Sequence, residues 1–440
     1  MKISSVLVGA LGTMMVSLAG CGVADPDEEL GQVSEELSRC HRDDGPRLYV
    51  PEPNRGATEQ IASLRAQRRR TDAALIRTMT ETPQGVWLVG GTPETVGKAV
   101  KKVMKKAAAQ RSIPILVAYN LPFRDCAQFS AGGATDTAEY LAWIDAFASA
   151  IGNREAIVLL EPDGLGIIPH YVDLNGNPEW CQPAEADPTT AADERFTQLN
   201  GALDRLLEQP NAKVYLDGTH NGWLGVGDAS RRLVRAGVQR ASGFFLNVSH
   251  YQASERLEKY GTWISSCIAF ANNDTEGGWR LGHYDWCASQ YYPASPDDFS
   301  TWGLTDDWYA SNLGTAVPTT RFVVDSARNG QGRWVPPAGT PAGDVQEWCN
   351  PPDRGLGYPS ELCAPDDDDA PISCQRTPLL DANLWVKIPG ESDGQCNRWE
   401  PPGSADPVRG IMDPPAGAWF GDMALELVHN ANPRLRVNRR

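Results

Sequence analysis

From residue 47 onward, short apolar runs recur at 47–50, 85–90, 113–119, 156–160, 213–216, 243–248, 321–324 and 384–388. They are rich in Val, Ile, Leu, Phe and Tyr, as strands covered on both faces are. Helical patterns lie between several of them. Segment 95–110 aligns Val96, Val100, Val103 and Met104, and segment 191–208 aligns Phe196, Leu199, Leu203, Leu206 and Leu207. Alternating strand and helix predicts parallel strands with right-handed crossovers. Seven to eight such strands in one domain predict an α/β fold closed as a barrel. Two stretches, 252–318 and 336–379, carry neither pattern and are expected to be long irregular loops, functional or stapled by disulfides.

In a β/α barrel the carboxyl ends of all strands meet on one face, which carries the site. Polar groups recur at those ends: Tyr119 with Arg124 and Asp125, then Glu161 and Asp163, Asp217, Asn247, Asp325 with Arg328, and Glu391 with Asp393. Helix capping accounts for one or two such residues, not for the series. A shared cleft is therefore expected.

Charge and composition narrow the ligand. The chain has 440 residues, a net charge of −16 and 14 Trp. With no basic stripe, nucleic acid is not expected as a partner. The acidic balance favours a neutral ligand, and Trp rings suit the apolar faces of sugars. Lys2, the uncharged stretch 3–20 and Leu18-Ala19-Gly20-Cys21 look like a lipoprotein-type signal over 1–21, with Cys21 as a lipid anchor. Acidic residues at 22–45 read as a flexible tether, leaving 46–440 as the one folded domain. The protein is thus expected to be exported, either anchored at a bacterial cell surface or secreted, and a monomer. The ten cysteines fit an oxidising compartment. Setting Cys21 aside leaves an odd number, so one further cysteine is expected to lack a partner within the chain. No CxxC or HExxH spacing points to a metal, and the run Asp366–Asp369 reads as a solvated loop.

Glycosidic bonds are cut by a carboxylic acid that protonates the leaving oxygen and a second carboxylate that activates water or attacks. The acid needs a raised pKa, which a nearby carboxylate supplies, and the base needs cations to stay charged. Asp163 with Asp125 suits the first role. Asp393 with Lys387 and Arg328 suits the second.

Four ordered motifs sharpen this reading: Ala118–Cys126 (AYNLPFRDC), Leu160–Leu165 (LEPDGL), Tyr215–His220 (YLDGTH) followed by Gly222-Trp223, and Leu384–Gly394 (LWVKIPGESDG). Together they resemble glycoside hydrolase family 6 over nearly the whole chain after residue 48. The resemblance implies a distorted β/α barrel, cleavage of β-1,4-glucan such as cellulose with inversion, and no cofactor or metal. It implies Asp163 as general acid, Asp125 as the carboxylate raising its pKa, Tyr119 as the group that distorts the scissile sugar, and Asp393 as the base. Substrate contacts are implied at Asp217, His220, Trp223, Asn247, Trp348, Lys387 and Glu391. Disulfides are implied between Cys126 and Cys181 and between Cys349 and Cys396.

Three departures accompany the match. Ala131 stands where a water-holding serine is expected, with Ser130 adjacent. Val226 stands where a second Trp is expected, and no Trp follows the first strand at 51–56. Only Gly394 and Gln395 separate Asp393 from Cys396, too little chain to arch over a glucan, so an open cleft and endo action are expected. The alternatives are exo release of cellobiose, with segment 252–318 as the roof, and a non-catalytic carbohydrate-binding lipoprotein. Retention of both aspartates and Tyr119 disfavours the last.

Overall fold

Neighbouring residues along the central strands face opposite ways, and both sets are buried. Ile115, Val117, Ile157, Leu159, Tyr215, Phe245, Val323 and Leu384 meet inside the curled sheet. Leu116, Val158, Leu160, Leu216, Phe244 and Val324 face outward into a larger cluster shared with the helices. This is why the strands read as unbroken apolar runs.

The computed structural model describes residues 47–338, 346–363, 371–398, 400–401 and 403–437. The leader, the tether, Cys21, Cys40 and Asp366–Asp369 lie outside the described residues. The strands are β1 (Arg47–Leu48), β2 (Val86–Val89), β3 (Ser112–Ile113), β4 (Ile115–Tyr119), β5 (Ala156–Leu160), β6 (Ala212–Asp217), β7 (Gly243–Leu246), β8 (Arg321–Asp325), β9 (Glu361–Leu362) and β10 (Leu380–Leu384). The α-helices are α1 (Arg55–Ala66), α2 (Arg70–Thr80), α3 (Pro93–Gln110), α4 (Thr137–Ile151), α5 (Ala191–Leu207), α6 (Val226–Arg235), α7 (Ser254–Ala271), α8 (Gly303–Asn312) and α9 (Gly421–His429). The main sheet runs β2-β4-β5-β6-β7-β8-β10-β9, with every pairing parallel except the antiparallel edge β9. The fold is thus a distorted β/α barrel. β2 and β10 do not pair as a ladder. The gap is spanned by Gly85 N–H donating to Trp385 O (2.7 Å) and Trp87 Nε1–H donating to Val386 O (2.8 Å). A Cβ on Gly85 would lie 2.6 Å from Val386 O, so only glycine allows this approach.

Three sequence expectations need correction. The run 47–50 is not a barrel strand: only Arg47 and Leu48 pair, with β3 in a separate ribbon, and Pro51 and Pro53 lack the N–H needed to continue. The last strand lies at Leu380–Leu384, not 384–388. Its polar positions hid it, since Asp381 bonds the hydroxyl of Tyr215 (2.8 Å) and pairs with Arg321. It stops at Leu384 because side chains take the next N–H groups, Ser360 Oγ that of Trp385 and the Asp325 carboxylate those of Val386 and Lys387. Segment 252–318 is not irregular, for it holds α7 and α8. α7 buries Leu257, Tyr260, Trp263, Ile264, Cys267 and Phe270 around most of its circumference, so no single apolar stripe announces it.

Disulfides join Cys126–Cys181, Cys267–Cys287, Cys349–Cys396 and Cys363–Cys374, which pairs every described cysteine. The first and third are those the resemblance implied. The second closes a loop of sequence separation 20. Non-reducing peptide mapping should recover these four pairs. Replacing Cys267 and Cys287 together by Ala should destabilise the fold by about 3 kcal/mol, the entropy of closing that loop. An unchanged melting temperature would contradict this.

Candidate active site

Buried carboxylates at strand ends shape the site's loops. Glu161, after β5, accepts the N–H groups of Asn120 (2.8 Å) and Leu121 (3.1 Å) from the loop after β4. Asp217, ending β6, accepts those of Leu165 (3.2 Å) and Gly166 (3.3 Å) from the loop after β5. Asp325, ending β8, accepts those of Ser249 (3.2 Å), Val386 (3.2 Å) and Lys387 (3.0 Å), from the loops after β7 and β10. Burial raises the carboxyl of Glu161 to about 7 and those of Asp217 and Asp325 to about 6, against the pull of these N–H donors. Arg195 adds a cation to the frame, donating to the carbonyls of Gly164 (2.8 Å), Ile167 (2.7 Å) and Pro122 (2.9 Å). The held backbone is strained: Asp125, Glu161, Asp163 and Asn247 have φ of 59°, 57°, 63° and 71°. Such left-handed geometry costs about 1 kcal/mol or more per residue bearing a Cβ.

These loops enclose a cleft of about 980 Å³. On one wall stand Tyr119, Asp125 and Asp163. The Tyr119 ring lies between the edge of Trp87 (5.4 Å between centroids, 88°) and the Arg124 guanidinium (4.8 Å). Asp125 accepts the Ser130 N–H at 2.6 Å, and burial lifts its carboxyl to about 6 despite that bond and Arg124. Asp163 faces the cavity between walls of protein. Desolvation, then the charges of Asp217 and Asp125, push its pKa well above the usual range, with Lys387 opposing.

Asp393 lies in the opposite condition. Its Oδ2 accepts from Arg328 (2.9 Å), Tyr251 (3.3 Å) and Asn350 N–H (3.1 Å), and its Oδ1 lies 3.3 Å from Lys387 Nζ. Burial would raise its pKa, but Arg328 and Lys387 outweigh burial and hold it below the ordinary value. Two carboxyls in the cleft are therefore pushed in opposite directions, Asp163 up and Asp393 down, as acid–base chemistry requires.

His220, Trp223, Trp348, Lys387 and Glu391 also line the cleft. His220 Nδ1 accepts the Gly222 N–H (3.1 Å), which leaves the ring proton on Nε2. Burial and the neighbouring His250, 4.1 Å away between centroids, keep the ring neutral. Glu391 accepts from Asn54 (2.7 Å), a residue outside the strand series. Asp217 and Asn247, expected at the substrate, sit beneath the floor. Asp217 is 4% exposed and bonds the backbone, and Asn247 is fully buried and donates to Asp325 O at 2.8 Å. Residues not singled out from sequence complete the walls: Trp87, Phe129, Trp180, Tyr251 and Trp334. Trp180, next to Cys181, is 52% exposed, and that disulfide partner was the one local signal for it. Phe129 meets Trp348 at 5.9 Å and packs on Gly394, where a Cβ would lie 2.6 Å from the Phe129 ring. The 252–318 segment contributes Gln252 alone to the described lining.

Comparison with known proteins bears on the whole domain. The model of "Glycosyl hydrolases family 6" matches residues 44–431. Endoglucanase A of Cellulomonas fimi is 30% identical over 82% of this chain and 57% of its own length. The chain thus spans a little over half of that relative. A probable 1,4-β-D-glucan cellobiohydrolase C of Aspergillus fumigatus is 28% identical over 81% of this chain and 70% of its own. Among solved structures, the endoglucanase Cel6 of Mycobacterium tuberculosis, in complex with methyl-cellobiosyl-4-deoxy-4-thio-β-D-cellobioside, is 29% identical. It superposes with a TM-score of 0.60 over 88% of this chain and 98% of that one. On the extent of the family match, with the barrel and the cleft at its strand ends, this chain belongs to glycosyl hydrolases family 6.

Proposed function

We propose that this chain hydrolyses β-1,4-glucosidic bonds of cellulose-like glucans with inversion at the anomeric carbon. The observation that carries the reading is one cleft lined by both Asp163, whose carboxyl burial and the Asp217 and Asp125 charges push up, and Asp393, which Arg328 at 2.9 Å and Lys387 at 3.3 Å hold down. Asp163 donates its proton to the glycosidic oxygen as the C–O bond breaks. Water attacks the anomeric carbon from the opposite face, and its proton passes towards the anionic side of the cleft. Tyr119, fixed by Trp87 and Arg124, crowds the scissile sugar. Ser130 lines the cleft beside Asp125, its N–H bonded to that carboxylate, and takes the water-holding role that Ala131 cannot. His220, Trp223, Trp348, Lys387 and Glu391 hold the glucan. Asp217 and Asn247 serve by fixing the loops that carry these groups.

We further propose endo action. Cys396 is tied to Cys349, so Gly394 and Gln395 have no slack to arch across. The described contact between the two walls there is a side chain, Phe129, on Gly394 and Trp348. The disulfides fit an oxidising compartment, in keeping with a lipoprotein-type leader at 1–21 and a tether at 22–45.

Asp163→Asn should keep the fold and glucan binding and lose about 10²–10⁴-fold in kcat on unactivated glucan. Activity within threefold of the parent would exclude the assignment. Asp125→Asn removes a charge that raises the pKa of Asp163. Beyond its loss of rate, the alkaline limb of its kcat/KM profile should therefore move to lower pH, and an unmoved limb would remove Asp125 from that role. In a digest of soluble cellulose, viscosity should fall well before reducing ends accumulate, and proton NMR should show the α-anomer first. Immediate cellobiose with steady viscosity would mean exo action, and initial β-anomer a retaining mechanism.

A further inference from the structure

The loop between β5 and α5 carries an indole that the fold leaves without a partner. Trp180 is 52% exposed and lines the cleft. Among the described residues no ring or cation stacks on it, and no group accepts its Nε1–H. The other tryptophans of the cleft differ. Trp87 donates to Val386 O and meets Tyr119, Trp223 lies 5.8 Å from His220, Trp348 meets Phe129, and Arg398 lies 5.2 Å from the Trp334 ring. The ring of Trp180 is nonetheless held in place. Its loop turns back on itself: Val172 bridges Pro178, Glu179 N–H donates to Tyr171 O (2.7 Å), and His170 N–H donates to Cys181 O (2.9 Å). The Asp173 carboxylate closes the turn by accepting the N–H groups of Asn175 and Asn177 (2.8 Å each). On one side of Trp180, Glu179 pairs with the buried Arg232 of α6; on the other, Cys181 is bonded to Cys126. With both chain neighbours fixed, little backbone ordering remains when a ligand arrives.

We propose that Trp180 is the platform of a further glucose-binding subsite within the cleft, with Gln128 supplying its polar contact; the inference rests on the reading of the cleft as a β-1,4-glucan site. The place of the ring selects the ligand. The loop that carries it also carries Asp163, and its Gly166 packs so closely on Trp223 that a Cβ there would lie 2.5 Å from that ring. The Cys126–Cys181 bond joins the loop to the segment after β4, one residue past Asp125. Gln128 of that segment lines the cleft too, its side-chain amide without a partner among the described residues. A glucan in the cleft thus meets a flat ring and a free amide, offered by two loops that a disulfide locks together. The ring suits the C–H face of a pyranose and the amide its hydroxyls. Trp180 makes no hydrogen bond to Asp125, Asp163 or Asp393. It therefore acts on affinity and on the chain length preferred, not on proton transfer.

The test is made in the full chain carrying Asp163→Asn, so that binding is read without turnover. Cello-oligosaccharides from cellotriose to cellohexaose are titrated by calorimetry. Trp180→Ala should weaken cellohexaose binding about five- to tenfold, as expected for losing one ring platform. Cellotriose should lose less, which flattens the rise of affinity with chain length. Trp180→Tyr, which restores a ring, should return cellohexaose to within about threefold of the parent. In the active form, the ratio of kcat/KM for cellohexaose to that for cellotriose should fall with Trp180→Ala, and the fall should lie mainly in KM. Unchanged cellohexaose affinity in Trp180→Ala overturns the proposal. So does an equal loss at every chain length that Trp180→Tyr does not restore, because the residue would then serve the fold through the Cys126–Cys181 bond. Should Trp180→Ala fail to fold, Trp180→Gln, which keeps a long side chain without the ring, decides the question in the same way. If the Asp163→Asn parent binds no cello-oligosaccharide, the reading of the cleft fails and the subsite with it. If the parent binds and the loss of the ring changes nothing, the subsite alone fails.

Discussion

The site depends on carboxylates that never meet the cleft. Glu161, Asp217 and Asp325 each stand at the end of one strand and bind the N–H groups of loops leaving its neighbours. A strand end exposes backbone donors that the ladder no longer satisfies, and leaving them buried and unpaired would cost about 1–3 kcal/mol each. A carboxyl that accepts two or more of them discharges that cost and fixes where the next loop starts. It thereby supports the left-handed backbone at Asp125 and Asp163, which these residues would not adopt alone.

The same arrangement explains the electrostatics. Burial raises the pKa of each clamping carboxyl, and the charge of Asp217 adds to the rise at Asp163. Asp393 escapes because Arg328, fully buried, and Lys387 lie against it. Arg328 is itself held in place, stacking 4.4 Å over the Tyr251 ring. Scaffold and chemistry thus share one set of charges.

This sharing also marks what could be read from sequence. The central strands were legible because each is buried on both faces, and the positions of Tyr119, Asp163 and Asp393 followed from strand ends and motif order. The last strand was not legible, because Asp381 and Asn383 put polar groups inside it and their partners, Tyr215 and Arg321, are distant in the chain. Nor could sequence separate a carboxylate that meets the cavity from one that ties down backbone, since both follow a strand. Asp163 and Asp217 look alike in one dimension and differ only in what surrounds them. Trp87 enters the cleft through packing, which no local pattern encodes, whereas Trp180 carries a signal only through its neighbour Cys181.

The seam between β2 and β10 gives the barrel unequal stiffness around its girth. From β2 through β10 the wall is continuous parallel ladder, and Asp163 is mounted on that arc. Asp393 follows β10, beside a seam with no strand ladder, closed by the Gly85 and Trp87 hydrogen bonds, by Ser360 Oγ–H on Pro83 O (2.8 Å) and by the clustering of Trp385 with Ile76 and Met79. Asp163 thus sits on the ladder-bonded arc and Asp393 beside the seam. A change in the gap between them would be opposed at the seam by packing and a few hydrogen bonds, with no strand ladder to break.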